Sequence, residues 1–324
     1  MKILKKIGKI ALICLCCLIA LFLVVFGGLN ALKFAIYGEY YGIREKICVN
    51  PGLSDGFICQ GLCVLEKDDT FNTTLEDKFL VSGYMGNKSA SRIYVTDLDN
   101  QSYFVTIKNA DDSDFKGHAG GIAVNNDTVY VADGSAIHII PLQTLLTAKN
   151  GDSVKIVDKI PVNNSASFIY ADSNYLYVGE FHNGKQYITN HPFDTPEGKN
   201  YAIVSRYSYS NLYSPDRIYS IGNKVQGFCY TPDGKIVLAT SYGIADSVYY
   251  VYDDAKSTNS GLTLDGAPVY FLGECERDIS GPAMAEGLDY YNGKIINVTE
   301  SASNKYIFGK FFFANKIIGL DINK

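Results

Sequence analysis

Carboxylates are the residues best placed to do chemistry in this chain. Asp133, Glu180 and Glu300 each stand at the end of a short apolar run, and Glu286 opens another where related runs carry Gln60 and Gln226. Gathered at one mouth, paired carboxylates can act on a glycoside as acid and as nucleophile or base. They can also give oxygen ligands to a hard cation such as calcium. Glu286 is the first catalytic candidate, as a general base toward water, and His118, just before Ala119-Gly120-Gly121, is the second, since an unperturbed imidazole titrates at about pH 6.5. Glu286, Asp133 and Glu300 are the candidate calcium ligands, and calcium is the one candidate cofactor, none being required by the sequence. Gln60, Gln226, Ser241, Tyr242 and Glu180 are the candidate ligand-binding residues. The plainer alternative is that these Gln, Ser and Glu side chains cap exposed strand amides. A Gly-x-Ser-x-Gly elbow, a phosphate loop, a dinucleotide fingerprint and a His-Glu-x-x-His motif are all absent from the sequence.

The elements that must position these residues recur five times. Gln60-Gly61-Leu62-Cys63-Val64, Gly120-Gly121-Ile122-Ala123-Val124, Ser167-Phe168-Ile169-Tyr170-Ala171, Gln226-Gly227-Phe228-Cys229-Tyr230 and Glu286-Gly287-Leu288-Asp289-Tyr290 each open a unit. A second strand follows each after a turn, as in Val129-Tyr130-Val131-Ala132-Asp133 and Ile295-Ile296-Asn297-Val298-Thr299-Glu300. Positions 61, 121, 168, 227 and 287 are separated by 60, 47, 59 and 60 residues, a spacing of propeller blades with long loops. The fold class is therefore all-β, a five-bladed β-propeller, with a sixth blade in the long loops as the alternative. The second unit shows its strands at 121–124, 129–132, 137–140 and 154–157. Thr231-Pro232-Asp233-Gly234 and Tyr291-Asn292-Gly293 mark tight turns. The fifth unit is one outer strand short, and the stretch from Tyr40 to Val49, which precedes the first signature as the outer strand Val269-Tyr270-Phe271-Leu272 precedes the last, is expected to supply it and close the ring.

Residues 10–29 carry no charge and are almost wholly apolar, enough at 1.5 Å per residue to cross a hydrocarbon core of about 30 Å. Lys2, Lys5, Lys6 and Lys9 precede this run, so the positive-inside rule puts the N-terminus in the cytoplasm. The expected organisation is a cytoplasmic tail at 1–9, a single-pass signal-anchor helix at 10–29, a linker at 30–39 and an extracytoplasmic propeller at 40–324, held at the cell membrane. The net charge of −5 and the lack of a basic stripe argue against nucleic acid as a partner. Tyr is plentiful at 25 residues and Trp is absent, which suits strands with one packed and one wet face. Of the five cysteines beyond the apolar run, Cys63 and Cys229 are expected as buried thiols, and Cys48 with Cys275 is a candidate bridge.

Gln226-Gly227-Phe228 with Ser241-Tyr242-Gly243, His118-Ala119-Gly120-Gly121-Ile122, and Glu286-Gly287-Leu288 with Thr299-Glu300-Ser301 resemble secreted or membrane-tethered bacterial β-propeller proteins over most of residues 58–322. The chain is similar in this to lactonase-like propellers. That resemblance implies a channel calcium, with Glu286 matching an acidic ligand, and hydrolysis of small esters or lactones; the Asn and Asp partners of that pattern have no clear counterpart here. A repeat with no complete catalytic constellation points first to a binding or interaction module for a wall component, small ligand or protein. The alternative is a calcium-dependent hydrolase or lyase acting on a lactone, glycoside or phosphoester at the channel.

Overall fold

The computed structural model describes residues 2–306 and 314–324, and the chain divides into two compact units, Met1–Gly42 and Ile43–Lys324. The first holds a helix over Lys2–Ile36, of which Lys6–Ile36 is long and apolar enough to cross a membrane by length and composition. The apolar run read from the sequence lies inside it. A short helix, Gly38–Ile43, precedes the first strand.

The second unit is a five-bladed propeller. Blade 1 consists of Phe57–Leu65, Lys78–Met85, Arg92–Asp97 and Ser102–Lys108, and blade 2 of Gly121–Asn125, Thr128–Asp133, Ala136–Pro141 and Asp158–Pro161. Blade 3 runs through Phe168–Ala171, Tyr175–Gly179, Ala202–Ser208 and Arg217–Ile221, and blade 4 through Val225–Tyr230, Lys235–Thr240, Ser247–Asp253 and Arg277–Gly281. Blade 5 takes Ala285–Tyr291, Lys294–Thr299 and Lys316–Leu320 from the C-terminal part of the chain and Arg44–Val49 from the N-terminal part. The first strands of neighbouring blades touch all the way round, so they line the axis.

Arg44–Val49 pairs antiparallel with Lys316–Leu320, with Cys48 opposite Ile317, and this closes the ring as the incomplete fifth repeat requires. Asn292 and Gly293, both at positive φ, form the two-residue turn that joins Tyr291 to Lys294.

Two assignments are corrected. Ser153–Lys155 does not complete blade 2 but pairs parallel to the outer strand of blade 1, because Val154 and Ile156 are buried in the cluster between blades 1 and 2. Asp158–Pro161 takes the fourth place in blade 2 instead. Likewise Ala267–Phe271, expected as the outer strand before the last repeat, pairs parallel to the edge of blade 3, and Arg277–Gly281 completes blade 4. Both additions cover an edge that would otherwise expose unpaired amides.

The core sits between blades. Leu80, Ile93 and Val95 of blade 1 meet Ile122, Val129 and Val131 of blade 2, and Phe57, Phe79 and Val81 meet Ile296, Val298 and Ile317 of blade 5. Each such side chain contributes about 1.5–3 kcal/mol by leaving water. Cys48 packs in the second of these clusters while the Cys275 thiol donates to the carbonyl of Arg277; both are free, so the expected bridge is not formed.

Candidate functional site

The recurrent Gln-Gly and Glu-Gly signatures are β-bulges. Pairing of the first strand with the second slips between Cys59 and Gly61, between Val225 and Gly227, and between Ala285 and Leu288. A bulge leaves the extra residue out of the ladder and re-aims its side chain. Here the residues left out include Gln60, Gln226 and Glu286, and all three line one cavity. The neighbouring glycines let first strands meet at the axis: a Cβ on Gly61 would stand 2.5 Å from the amide nitrogen of Ile122, and one on Gly287 would stand 2.5 Å from that of Leu62.

The cavity has a volume of about 590 Å³. Strand openings and second-strand ends converge on it: His118, Ser167, Gln226 and Glu286 from the first set, with Tyr84, Asp133, Ser241, Tyr242 and Glu300 from the second. Glu286 is 2% exposed and accepts a hydrogen bond from Gln226 Nε2 at 3.0 Å. Glu300 accepts one from Gln60 Nε2 at 3.1 Å. Loss of hydration drives the Glu286 carboxyl well above the usual carboxylate range, the charge of Glu300 adds to this, and the Gln226 N–H opposes it. Burial lifts Glu300 to about 7 against the Lys305 ammonium and hydrogen bonds from Tyr306 and Gln60. Each carboxyl therefore opposes ionisation of the other, and the pair resists carrying two charges.

Aromatic rings form the walls. His118, exposed at the rim, stands edge-on to Tyr84 with centroids 4.8 Å apart. Lys305 donates to Tyr84 Oη at 2.6 Å and lies 4.9 Å from that ring and 5.1 Å from the ring of Tyr306. Phe181 meets Tyr187 edge-on at 5.4 Å and Tyr242 at 6.2 Å.

Of the residues picked from sequence, Gln60, His118, Asp133, Gln226, Ser241, Tyr242, Glu286 and Glu300 line this cavity, whereas Glu180 does not. Glu180 is 2% exposed and holds backbone together, accepting from Ser165 N at 3.1 Å, Ile203 N at 3.2 Å and His191 Nδ1 at 2.9 Å. That contact raises the His191 pKa above its ordinary value against the opposing effect of burial. Ser241 spends its hydroxyl on the carbonyl of Ala285 at 2.9 Å. Asp133 Oδ1 accepts from the amide of Ala119 at 3.2 Å.

Among the described residues no group of three or more His, Cys, Asp and Glu side chains is placed to hold a metal ion. Glu286, Asp133 and Glu300 line one cavity without forming such a group, and Asp133 Oδ1 is engaged by the Ala119 amide. Two carboxylates with two amides are a sparse donor set for an ion that takes six to eight oxygens. Phe181, Tyr187, Lys305 and Tyr306 escaped the sequence reading because none belongs to a repeated signature.

A second cavity of about 700 Å³ opens at the other ends of the same first strands, lined by Val64, Val124, Ala171, Tyr230 and Asp289 among others. Burial lifts Asp289 to about 7, although the amides of Val64 and Tyr290 donate to it at 2.7 and 2.8 Å.

No protein-family model matches the chain, and no curated protein does. Among solved structures the chain is similar to Myxococcus xanthus glutaminyl cyclase, at 9% identity and TM-score 0.46, covering 86% of this chain and 95% of that one. It is also similar to the PQQ-bound aldose sugar dehydrogenase of Streptomyces coelicolor, at 13% identity and TM-score 0.42, covering 79% and 77%. Both are β-propeller proteins. For hydrazine synthase of Kuenenia stuttgartiensis the identity is 11% and the TM-score 0.38, and the match covers 75% of this chain but spans only 56% of that one. At such identities and TM-scores the likeness says nothing of function.

Proposed function

We propose that this chain is a membrane-tethered, extracytoplasmic β-propeller that binds a small polar molecule at the mouth where Glu286 and Glu300 meet. The observation that carries the reading is convergence: bulges at Gln60, Gln226 and Glu286, in three blades, feed one cavity of about 590 Å³ that also has aromatic walls. A few convergent polar groups in a cavity of that size suit a small molecule. The tether is supported by the apolar helix Lys6–Ile36, and its orientation by Lys2, Lys5, Lys6 and Lys9 ahead of the charge-free run. Full-length protein in a polyoxyethylene detergent, screened by thermal shift and then calorimetry against small sugars, lactones, amines and acids, should bind at least one class saturably. Glu286→Gln should weaken that binding about tenfold or more. Failure of every class to bind would overturn the reading.

One observation favours a hydrolytic variant of it. A carboxyl kept protonated by burial beside a second that titrates near neutrality is the arrangement of a general acid with its base. In that variant Glu286 gives a proton to a leaving oxygen and Glu300 activates water. Turnover of a lactone, glycoside or phosphoester would vanish in Glu286→Gln while binding persisted. The resemblance to lactonase-like propellers supports this variant.

A further inference from the structure

We infer that the mouth cavity takes a small organic cation, an amine or quaternary ammonium compound, seated between the Glu286–Glu300 pair and the aromatic wall of Phe181, Tyr187 and Tyr242. The inference rests on the binding reading above and narrows it to one class of ligand.

Charge is the first observation. Among the described residues, the ionisable side chains that line the cavity are Asp133, Glu286 and Glu300 on the acidic side, with Lys305, His118 and the phenols of Tyr84, Tyr187, Tyr242 and Tyr306. Lys305 stands by Glu300 and spends a proton on Tyr84. Glu286 is 2% exposed, and its carboxyl accepts from the neutral Gln226 and feels the acidic Glu300. Ionising both glutamates therefore leaves a buried negative charge that no described cation matches. A buried charge without a counterion is costly, so Glu286 keeps its proton until a counterion arrives beside it, which a cationic ligand supplies and a neutral or anionic one does not.

The wall is the second, independent observation. Tyr187 and Tyr242 are 40% and 42% exposed, much for large aromatic side chains, and Phe181 touches both. Exposed ring faces present the negative side of the ring quadrupole, which attracts ammonium groups within about 6 Å. The chain displays the same chemistry with its own cations: Lys305 lies within 4.9 and 5.1 Å of the Tyr84 and Tyr306 rings, and Lys224 lies 6.0 Å from Tyr242. Carboxylates at the base and open rings at the side are complementary to a cation with an apolar body.

The test is calorimetric titration of full-length protein in a polyoxyethylene detergent, which carries neither sugar nor ammonium. Two cation probes are each paired with a neutral molecule of like shape: choline with 3,3-dimethyl-1-butanol, and butylammonium with 1-butanol; glucose and acetate complete the set. At least one cation should bind about tenfold or more tightly than its neutral partner. Glu286→Gln should erase that preference, and so should Tyr242→Leu, which keeps apolar area but removes the ring, should the glutamine variant not fold. If neither cation exceeds its neutral partner, or if glucose or acetate binds while both cations fail, the inference is overturned although the cavity remains a binding site. If no molecule of this set or of the wider screen binds, the binding reading falls as well.

Discussion

A carboxyl whose proton affinity rises on folding ties stability to pH with a definite sign. Glu300 and Asp289 both move up to about 7 through burial. Between the unfolded value near 4 and that figure the folded chain holds protons that the unfolded chain releases, so the contribution is full below the unfolded pKa and is lost as pH rises through about 7. His191, raised by its contact with Glu180, acts in the same direction: its contribution is present below about pH 6.5 and lost above its folded value. The melting temperature should therefore fall by several degrees between pH 5 and pH 8, and Glu300→Gln should flatten the profile; a rise over that range would contradict the assignment. At this scale the sequence disclosed Gln60, Gln226 and Glu286, because each precedes a glycine in a repeated phrase. It did not disclose that Glu180, at a place corresponding to Asp133, turns back onto the amides of Ser165 and Ile203, since nothing local records what the loop after it brings near.

A strand can point one residue at the axis and still keep its ladder only by bulging, and the glycine after the bulge decides how near the next blade can come. Gly287→Ala would bring a methyl to 2.5 Å from Leu62 N and 2.9 Å from the backbone of Gly61, and the blade 5–blade 1 contact would have to open. A loss on the order of 2–4 kcal/mol is expected in denaturant unfolding, with the cation preference and any turnover lost too. Gly222→Ala is the control, since its Cβ meets nothing within 4 Å and its φ is not positive; it should be neutral or stabilise by about 0.4–1 kcal/mol. The strands themselves were readable from apolar alternation and turn residues. Ser153–Lys155 and Ala267–Phe271 were misplaced because a short strand that joins a neighbour's edge looks no different, residue by residue, from one that completes its own sheet.

The ring as a whole depends on six residues that come just after the helical unit. Because Cys48 lies opposite Ile317 in the closing pair, Ile317→Cys supplies a partner already in register. Burial pushes the Cys48 thiol up to about 12, so an oxidation catalyst is needed to form the bond. The oxidised variant should then outlast its reduced form by about 3–5 kcal/mol, read as a melting temperature that drops on adding reductant. The need for a closing strand could be read from an incomplete fifth repeat, a global count that local ambiguity does not disturb. Which residues supply the walls of the mouth could not, since Lys305 and Tyr306 follow the last signature and Tyr187 sits in a loop without a counterpart in the other units.

Arg44–Val49 leaves the ribosome before any other strand of the propeller, and its partner Lys316–Leu320 emerges about 270 residues later. Throughout synthesis the nascent chain must keep that strand unpaired, while four blades assemble behind it. The interval between first and last strand is thus the period in which the growing polypeptide is most open to mispairing with a second copy, and assembly finishes with a single late docking step.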